Sequence, residues 1–255
     1  MQKTSGEGGE GVRSVLRALD LLALFDDTHR SRTVRELIDE SGLAKSTVVR
    51  LVATLEQRGL LWSRGDGRLT AGAGLLRWAA LAQDAWRLPP EAQACLREVS
   101  ERSGGESSRI YVQQGTFRVC VAQHEGTQPL RHVVRVGEEM PLWAGASGHV
   151  LLTGADGRQL RRVAAAAGRG EAFEEELAAR VRRAAERGWA VSHGEREDGV
   201  SAIAAPVTDE DGRVVAAVGL GGPTSRFTDE RVERFAPLLA DAGRALSRLR
   251  FIGGR

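Results

Sequence analysis

Between Ser41 and Leu61 the chain reads SGLAKSTVVRLVATLEQRGLL. Counted from Val48, Leu51, Val52 and Leu55 recur at i+3, i+4 and i+7, the single apolar stripe of an amphipathic helix. Ser46, Arg50, Ala53 and Gln57 fall on the other side, a face small and polar enough to approach a partner closely. Upstream, Val15, Leu16, Leu19, Leu22 and Ala23 predict a first helix. Thr33 followed by Glu36 is a capping-box pattern that opens a second helix, and Gly42 stops it. The third helix closes at Gly59. The tight SGLA turn between the second and third helices makes a helix-turn-helix. In LLWSRGDGRLT two short apolar runs flank Gly65, Asp66 and Gly67, a hairpin pattern. Three helices and a hairpin predict a winged helix-turn-helix over residues 11–71, preceded by a disordered arm at 1–10.

Downstream the periods change. AGAGLLRWAALAQDAW places Leu75, Trp78, Ala79, Ala82 and Trp86 on one stripe, and LPP at 88–90 breaks it. A linker helix over 72–88 is expected, its alanines permitting close helix approach either to a second copy or to its own domain. After another helix to about residue 102, SSRIYVQQG and FRVCVAQHEG alternate as paired strands around Gly115, and LRHVVRVG offers a third strand. Two helices follow in DGRQLRRVAAAAG and FEEELAARVRRAAERG, then a short strand in WAVS. SAIAAPVTDEDGRVVAAVGLGG reads as a hairpin turning at Asp211 and Gly212. The last helix, from Thr228, carries Val232, Phe235, Leu238, Leu239 and Ala242 on one face. Strands flanked by helices in a mostly antiparallel order predict a layered α/β sensor domain over 89–255, and the chain as a whole an α+β, two-domain protein.

Composition narrows the class. With 255 residues, 42 % of them hydrophobic, the chain can bury ordinary cores. No run approaches the ~18 apolar residues of a membrane span, and MQKTSGEGGEGVR lacks the apolar core of a signal peptide, so a cytoplasmic protein is expected. Cys95 and Cys120 are too few for a disulfide framework or a four-ligand zinc site and are expected to be packing residues. The net charge of +2 is unevenly placed: residues 1–90 hold 13 Lys and Arg against 11 Asp and Glu, while 91–255 hold 23 of each. The excess sits on the helix-turn-helix stretch, which suits a phosphate backbone as partner.

A helix-turn-helix inserts the start of its second helix into the DNA major groove, while a wing reaches backbone or minor groove. Arg50 can chelate a guanine edge, and Ser46 and Thr47 suit phosphate or base contacts. Lys45 adds charge at the entrance; apart from Lys3 it is the only lysine in an arginine-using chain. Arg64 and Arg68 on the hairpin complete the expected DNA-binding set. Further along, MPLWAGASGHVLLTG joins a strand exit to a helix through small residues from Ala144 to Gly148. Exposed N–H groups at a helix start favour an anion, which nominates Gly145, Ala146 and Ser147 as a pocket floor. A close-packed strand–helix junction would use the same residues.

RALDLLALF, TVRELIDESGLAKSTVVRLVATLEQRGLL and the distant GVSAIAAPVTDEDGRVVAAVGLGGPTSRFT together resemble the IclR family of bacterial transcriptional regulators, over about residues 11–250. The resemblance implies an N-terminal DNA-binding domain, a linker helix, and a GAF-like α/β effector-binding domain, assembled as dimers or dimers of dimers. It also implies an effector site near the 145–147 segment and near Ser192 and Ala202, extended here to Gly219 with Met140 as a wall. The chain departs from the family at His149, where lysine or arginine is common, at Ser192 and His193, where acidic residues are common, and at Ala202, often cysteine. The expected protein is therefore an effector-responsive regulator, with repression the favoured mode. It would bind a pseudo-palindromic operator in double-stranded DNA as a homodimer or tetramer and answer to a small organic or aromatic acid.

Two other classes compete. A hydrolase would need glycine at position 149 to complete a nucleophile elbow from GASGH, and His149 stands there. His124, His132, His149 and His193 are dispersed, and no H-E-x-x-H, G-x-G-x-x-G or G-x-x-x-x-G-K-[ST] occurs, so no catalysis, metal or cofactor is expected. A sensor or scaffold without DNA reading would not need Lys45, Ser46, Thr47 and Arg50 on the accessible side of the third helix.

Overall fold

The computed structural model describes residues 12–26 and 28–250; the arm expected at 1–10 lies outside the described residues. The chain divides into two compact units, Met1–Ala85 and Trp86–Arg255.

In the first unit, α1 (Arg13–Leu22), α2 (Val34–Ser41) and α3 (Lys45–Gln57) surround a core of Leu21, Leu37, Val48, Val52, Leu55, Leu61 and Leu69. The capping box at the start of α2 is formed: Glu36 N–H donates to Thr33 Oγ1 at 3.2 Å and Thr33 N–H donates to Glu36 Oε2 at 2.6 Å. Gly42 ends the helix in the left-handed region. Strands β2 (Leu61–Ser63) and β3 (Arg68–Ala71) form the hairpin. The sequence pattern did not reveal β1 (Ser31–Thr33), which pairs antiparallel with β3 to complete a three-stranded sheet in the order β1-β3-β2. Three residues between helices are too few to show alternation, and only the pairing with β3 makes them a strand. Val15, Leu16 and Leu19 of α1 are exposed, and Leu21 is its buried residue. The helix expected over 72–88 is shorter, α4 (Gly74–Ala85), and none of its residues is buried.

The second unit is built on a six-stranded antiparallel sheet in the order β6-β5-β4-β9-β8-β7. Its strands are β4 (Ser107–Gln114), β5 (Phe117–His124), β6 (Glu139–Pro141), β7 (Ala190–His193), β8 (Val200–Thr208) and β9 (Val214–Pro223). Alternation along each strand separates two cores. On one face Ile110, Val112, Ile203, Val207, Val218 and Leu220 pack against α5 (Pro90–Arg102) and α9 (Asp229–Leu249). On the other, Tyr111, Cys120, Met140, Ala204 and Ala217 meet α6 (Ala146–Leu151), α7 (Gly157–Ala166) and α8 (Glu171–Arg187). The expected strand in LRHVVRVG is not formed; the third strand of that edge is β6. The 130–137 segment is tied down through its carbonyls instead. Arg226 Nη2 donates to Leu130 O and Arg109 Nη2 to His132 O, while Val134 is fully buried.

Candidate DNA-reading face and effector cavity

On α3 the apolar stripe is buried as expected, at Val48, Val52 and Leu55. Lys45, Ser46 and Arg50 are exposed at its first turns, Thr47 is half-buried, and Ala53 and Gln57 are exposed on the same side. The hairpin arginines separate. Arg64 is exposed, whereas Arg68 turns back on its own unit: Nε donates to Ser31 Oγ and Nη2 to Ser31 O, both at 2.9 Å, and Glu36 lies 3.6 Å away. Arg68 clamps β1 to the hairpin, so part of its guanidinium is engaged within its own unit while the side chain stays half-exposed. The acceptor that holds it belongs to the strand that the sequence did not reveal.

In the second unit all seven expected effector residues, Met140, Gly145, Ala146, Ser147, Ser192, Ala202 and Gly219, line one cavity between the sheet and the start of α6. Cross-strand register explains the concavity: Ser192 faces Ala202, Ala202 faces Gly221 and Ala204 faces Gly219, so the floor carries almost no side-chain volume. The centres of water molecules can reach about 40 Å³ of it.

The polar chemistry differs from the expectation. Gly145 N–H donates to Glu195 Oε2 at 2.8 Å and Ala146 N–H to Ser192 Oγ at 3.0 Å, so two of the donors expected to receive an anion are already used by the chain. The acidic group missing at 192 and 193 is thus supplied from position 195. Gly148 is forced by packing: a Cβ there would lie 2.3 Å from Leu142 O. The small residues therefore serve close packing as well as lining the cavity. Glu195 is also 3.2 Å from His149 Nε2 and 3.2 Å from Arg180 Nη1. Burial alone would raise its carboxyl, but the His149 contact, the Gly145 N–H and Arg180 outweigh that and hold it below the usual glutamate range.

A folded value below the unfolded one adds stability that is present at neutral pH and is lost as pH falls through the folded value. The fall in urea midpoint on going from pH 7 to about pH 3.5 is therefore expected to be larger in the wild type than in Glu195→Gln. An equal fall in both would show that Glu195 is not stabilising.

Sequence reasoning missed the cavity's cations. Arg109, Arg118 and Arg196 line it with His132, Tyr111, Glu195 and Ser201. Arg118 donates Nη1 to Ala144 O at 2.5 Å and to Pro141 O, and its Cζ sits 5.7 Å from the Tyr111 ring centre. Burial lowers its guanidinium to about 10, which leaves it charged at neutral pH. Burial and the neighbouring Arg196, Arg109 and Arg118 push His132 down to about 4, so a neutral ring meets Arg196 Nη2. The available signal was Arg109 next to the Ile110–Val112 run and on the same face as Tyr111, a charge at a position that should be buried.

An exposed polar helix face in a helix-turn-helix unit, joined in sequence to an α/β unit with a charged internal cavity, defines a DNA-binding transcriptional regulator with an effector-binding domain. Residues 14–64 match the IclR helix-turn-helix domain, and residues 83–248 match the family described as bacterial transcriptional regulator IclR C-terminal. The chain belongs to the IclR family. It is 27 % identical over 243 residues to the HTH-type transcriptional regulator KipR of Bacillus subtilis, covering 92 % of this chain and 96 % of that protein. It is 29 % identical over 247 residues to XynR of Escherichia coli, covering 93 % and 96 %. A Rhodococcus sp. crystal structure described as an IclR-family regulator shares 41 % identity and a TM-score of 0.63, over 98 % of both chains. An IclR homologue from Microbacterium hydrocarbonoxydans complexed with 4-hydroxybenzoate shares the fold, with a TM-score of 0.72 at 22 % identity over 92 % of this chain and 98 % of that one. Among the described residues, no helix is long and apolar enough to cross a membrane.

Proposed function

We propose that the protein binds a pseudo-palindromic operator as a homodimer or a dimer of dimers, through a winged helix-turn-helix over 11–71, and that a small organic acid in the cavity of its GAF-like domain changes that binding. The observation that carries the reading is the outward face of α3, where Lys45, Ser46 and Arg50 are exposed at the N-terminal turns that enter a major groove. Arg64 on the hairpin supplies a phosphate contact. Self-association is supported by apolar surface that a monomer leaves in water: Val15, Leu16 and Leu19 on α1, and Leu76, Trp78 and Leu81 on α4, each at least 45 % exposed. Two copies related by a twofold axis would place two reading helices on two half-sites. An effector shifts operator binding only by preferring one arrangement of the dimer. Repression is the favoured mode.

The test is selection of fragmented DNA from the source genome by the full-length protein at about 150 mM salt, where non-specific binding is weak. Recovered fragments sharing an inverted repeat, and losing it with Lys45→Ala/Arg50→Ala, support the reading. Fragments with no common sequence, with and without added organic acids, sink it.

A further inference from the structure

Arg109 and Arg118 are 3 % and 4 % exposed. The other buried ion-pairing side chains among the described residues face an opposite charge: Arg32 meets Glu40, Glu106 meets Arg226, and His149 lies beside Glu195. Among the described residues, no carboxylate lies at ion-pair distance from Arg109 or Arg118, although Glu195 and Glu138 are near enough to Arg118 to favour its charged form. Arg109 donates Nη2 to His132 O, Arg118 donates Nη1 to Ala144 O and Pro141 O and Nη2 to the Met140 sulfur, and Nε of each is buried with no acceptor. Carbonyls and a thioether satisfy some donors but do not neutralise two whole charges, and a buried cation without a counter-charge is costly. Arg196 is different, being partly exposed and close to Glu138 and Glu197.

The two arginines start from different positions along the sheet. Arg109 sits opposite Gly219 near the start of β4, while Arg118 sits opposite Gln113 near its end, four residues or about 13 Å further along the strand. Tyr111 stands between them on β4. A Cβ built on Gly221 would be 3.4 Å from Arg109 Nη1, and one on Gly145 3.0 Å from Arg118 Nη2, so the two heads lie against different parts of the lining of one cavity. The Gly145 and Ala146 donors at the α6 end are occupied by Glu195 and Ser192.

Resting on the reading of this cavity as the effector site, we propose that the effector is a small dicarboxylate, held with one carboxylate on Arg109 and the other on Arg118, so that the strands and not the start of α6 recognise its charges. A dicarboxylate supplies one negative charge to each head, whereas a monocarboxylate brings a single charge to two cations. Arg109 is then the residue that sets the preference for two charges over one.

Calorimetric titration of the full-length protein tests this, with malonate, succinate, glutarate, adipate, phthalate and terephthalate set against acetate, butyrate, benzoate and inorganic phosphate. At least one dicarboxylate is expected to bind at least about tenfold more tightly than its monocarboxylate counterpart, the size of one charge-assisted contact. In Arg109→Gln that dicarboxylate falls to the level of the monocarboxylate, whose own affinity changes little. Arg109→Met, which removes an uncompensated buried cation, keeps or raises the melting temperature of the unliganded protein. Equal binding of mono- and dicarboxylates by the wild type, or phosphate binding alone, overturns the two-charge assignment while leaving the cavity as an anion site. A preference unaltered by Arg109→Gln, or a lower melting temperature in Arg109→Met without loss of preference, makes Arg109 a structural residue and overturns the proposal. If no acid and no phosphate binds the folded wild type, the effector-cavity reading fails with it.

Discussion

Arg50→Ala is expected to weaken binding to the selected operator by about 1–3 kcal/mol at each half-site, hence about 2–6 kcal/mol for a dimer that reads two. On a scrambled duplex of the same length the loss is expected to be much smaller, because a guanidinium chelating a base edge contributes little where that base is absent. The position supports this: Arg50 is exposed one turn after Ser46, on a helix whose opposite face is fixed by Val48, Val52 and Leu55. Arg64→Ala is the contrasting case. It should weaken both duplexes alike and reduce the slope of log affinity against log salt by about one for each phosphate that the side chain no longer neutralises. Anisotropy titrations on matched and scrambled duplexes at two or more salt concentrations separate the two behaviours. Equal losses for Arg50→Ala on both duplexes would reassign it to the backbone. Arg68→Ala belongs to neither class, since its guanidinium holds Ser31; its expected effect is a loosened β1 and hairpin.

Arg226→Ala is expected to destabilise the second unit by about 3–5 kcal/mol, the usual cost of leaving one member of a buried ion pair alone. Glu106 is fully buried, and Arg226 grips it through both Nε and Nη2 while Nη2 also donates to Leu130 O. Removing the guanidinium therefore strands a carboxylate and frees the 130–137 segment that forms part of the cavity surroundings. Glu106→Gln combined with Arg226→Met should recover much of the loss, because no charge is then left without a partner. Amide hydrogen exchange along β4 and β9 reads the stability of this unit separately from the helix-turn-helix unit. Protection unchanged in Arg226→Ala would mean that the pair contributes nothing net. The GPTSR residues, part of the downstream stretch that carries the family resemblance, thus have a structural reason: they deliver Arg226 to a carboxylate 120 residues away in the chain.

Legibility followed the range of the interactions. The capping box at Thr33 and Glu36, the Gly42 stop, the stripe of α3 and the hairpin turns at Gly67 and Gly212 are set by residues within one turn of each other, and all are present in the structure. The strand expected in LRHVVRVG failed for the opposite reason. Its alternation is real, but an edge position is decided by partners, and the carbonyls of Leu130 and His132 are taken by arginines from β4 and from the loop after β9. β1 was invisible because three residues carry no period. The seven cavity residues came partly from the helix-start pattern and partly from family resemblance; the arginines came from neither, since a charge in a strand shows its burial only once its neighbours across the sheet are known.

By itself the sequence determined most of the helices, the two-unit organisation and the polar outer face of α3, and it carried the resemblance to the family. The first three depend on local hydrogen bonding and hydrophobic period, which are written in consecutive residues, whereas the resemblance rests on the motifs themselves. Only the tertiary structure decided which donors are free. It paired Arg68 with Ser31, gave the Gly145 and Ala146 N–H groups to Glu195 and Ser192, and left Arg109 and Arg118 buried beside carbonyls, each with its Nε unpartnered. Whether a charge faces solvent, a partner or nothing depends on side chains brought together across tens of residues, and the availability of those charges governs what the cavity can bind.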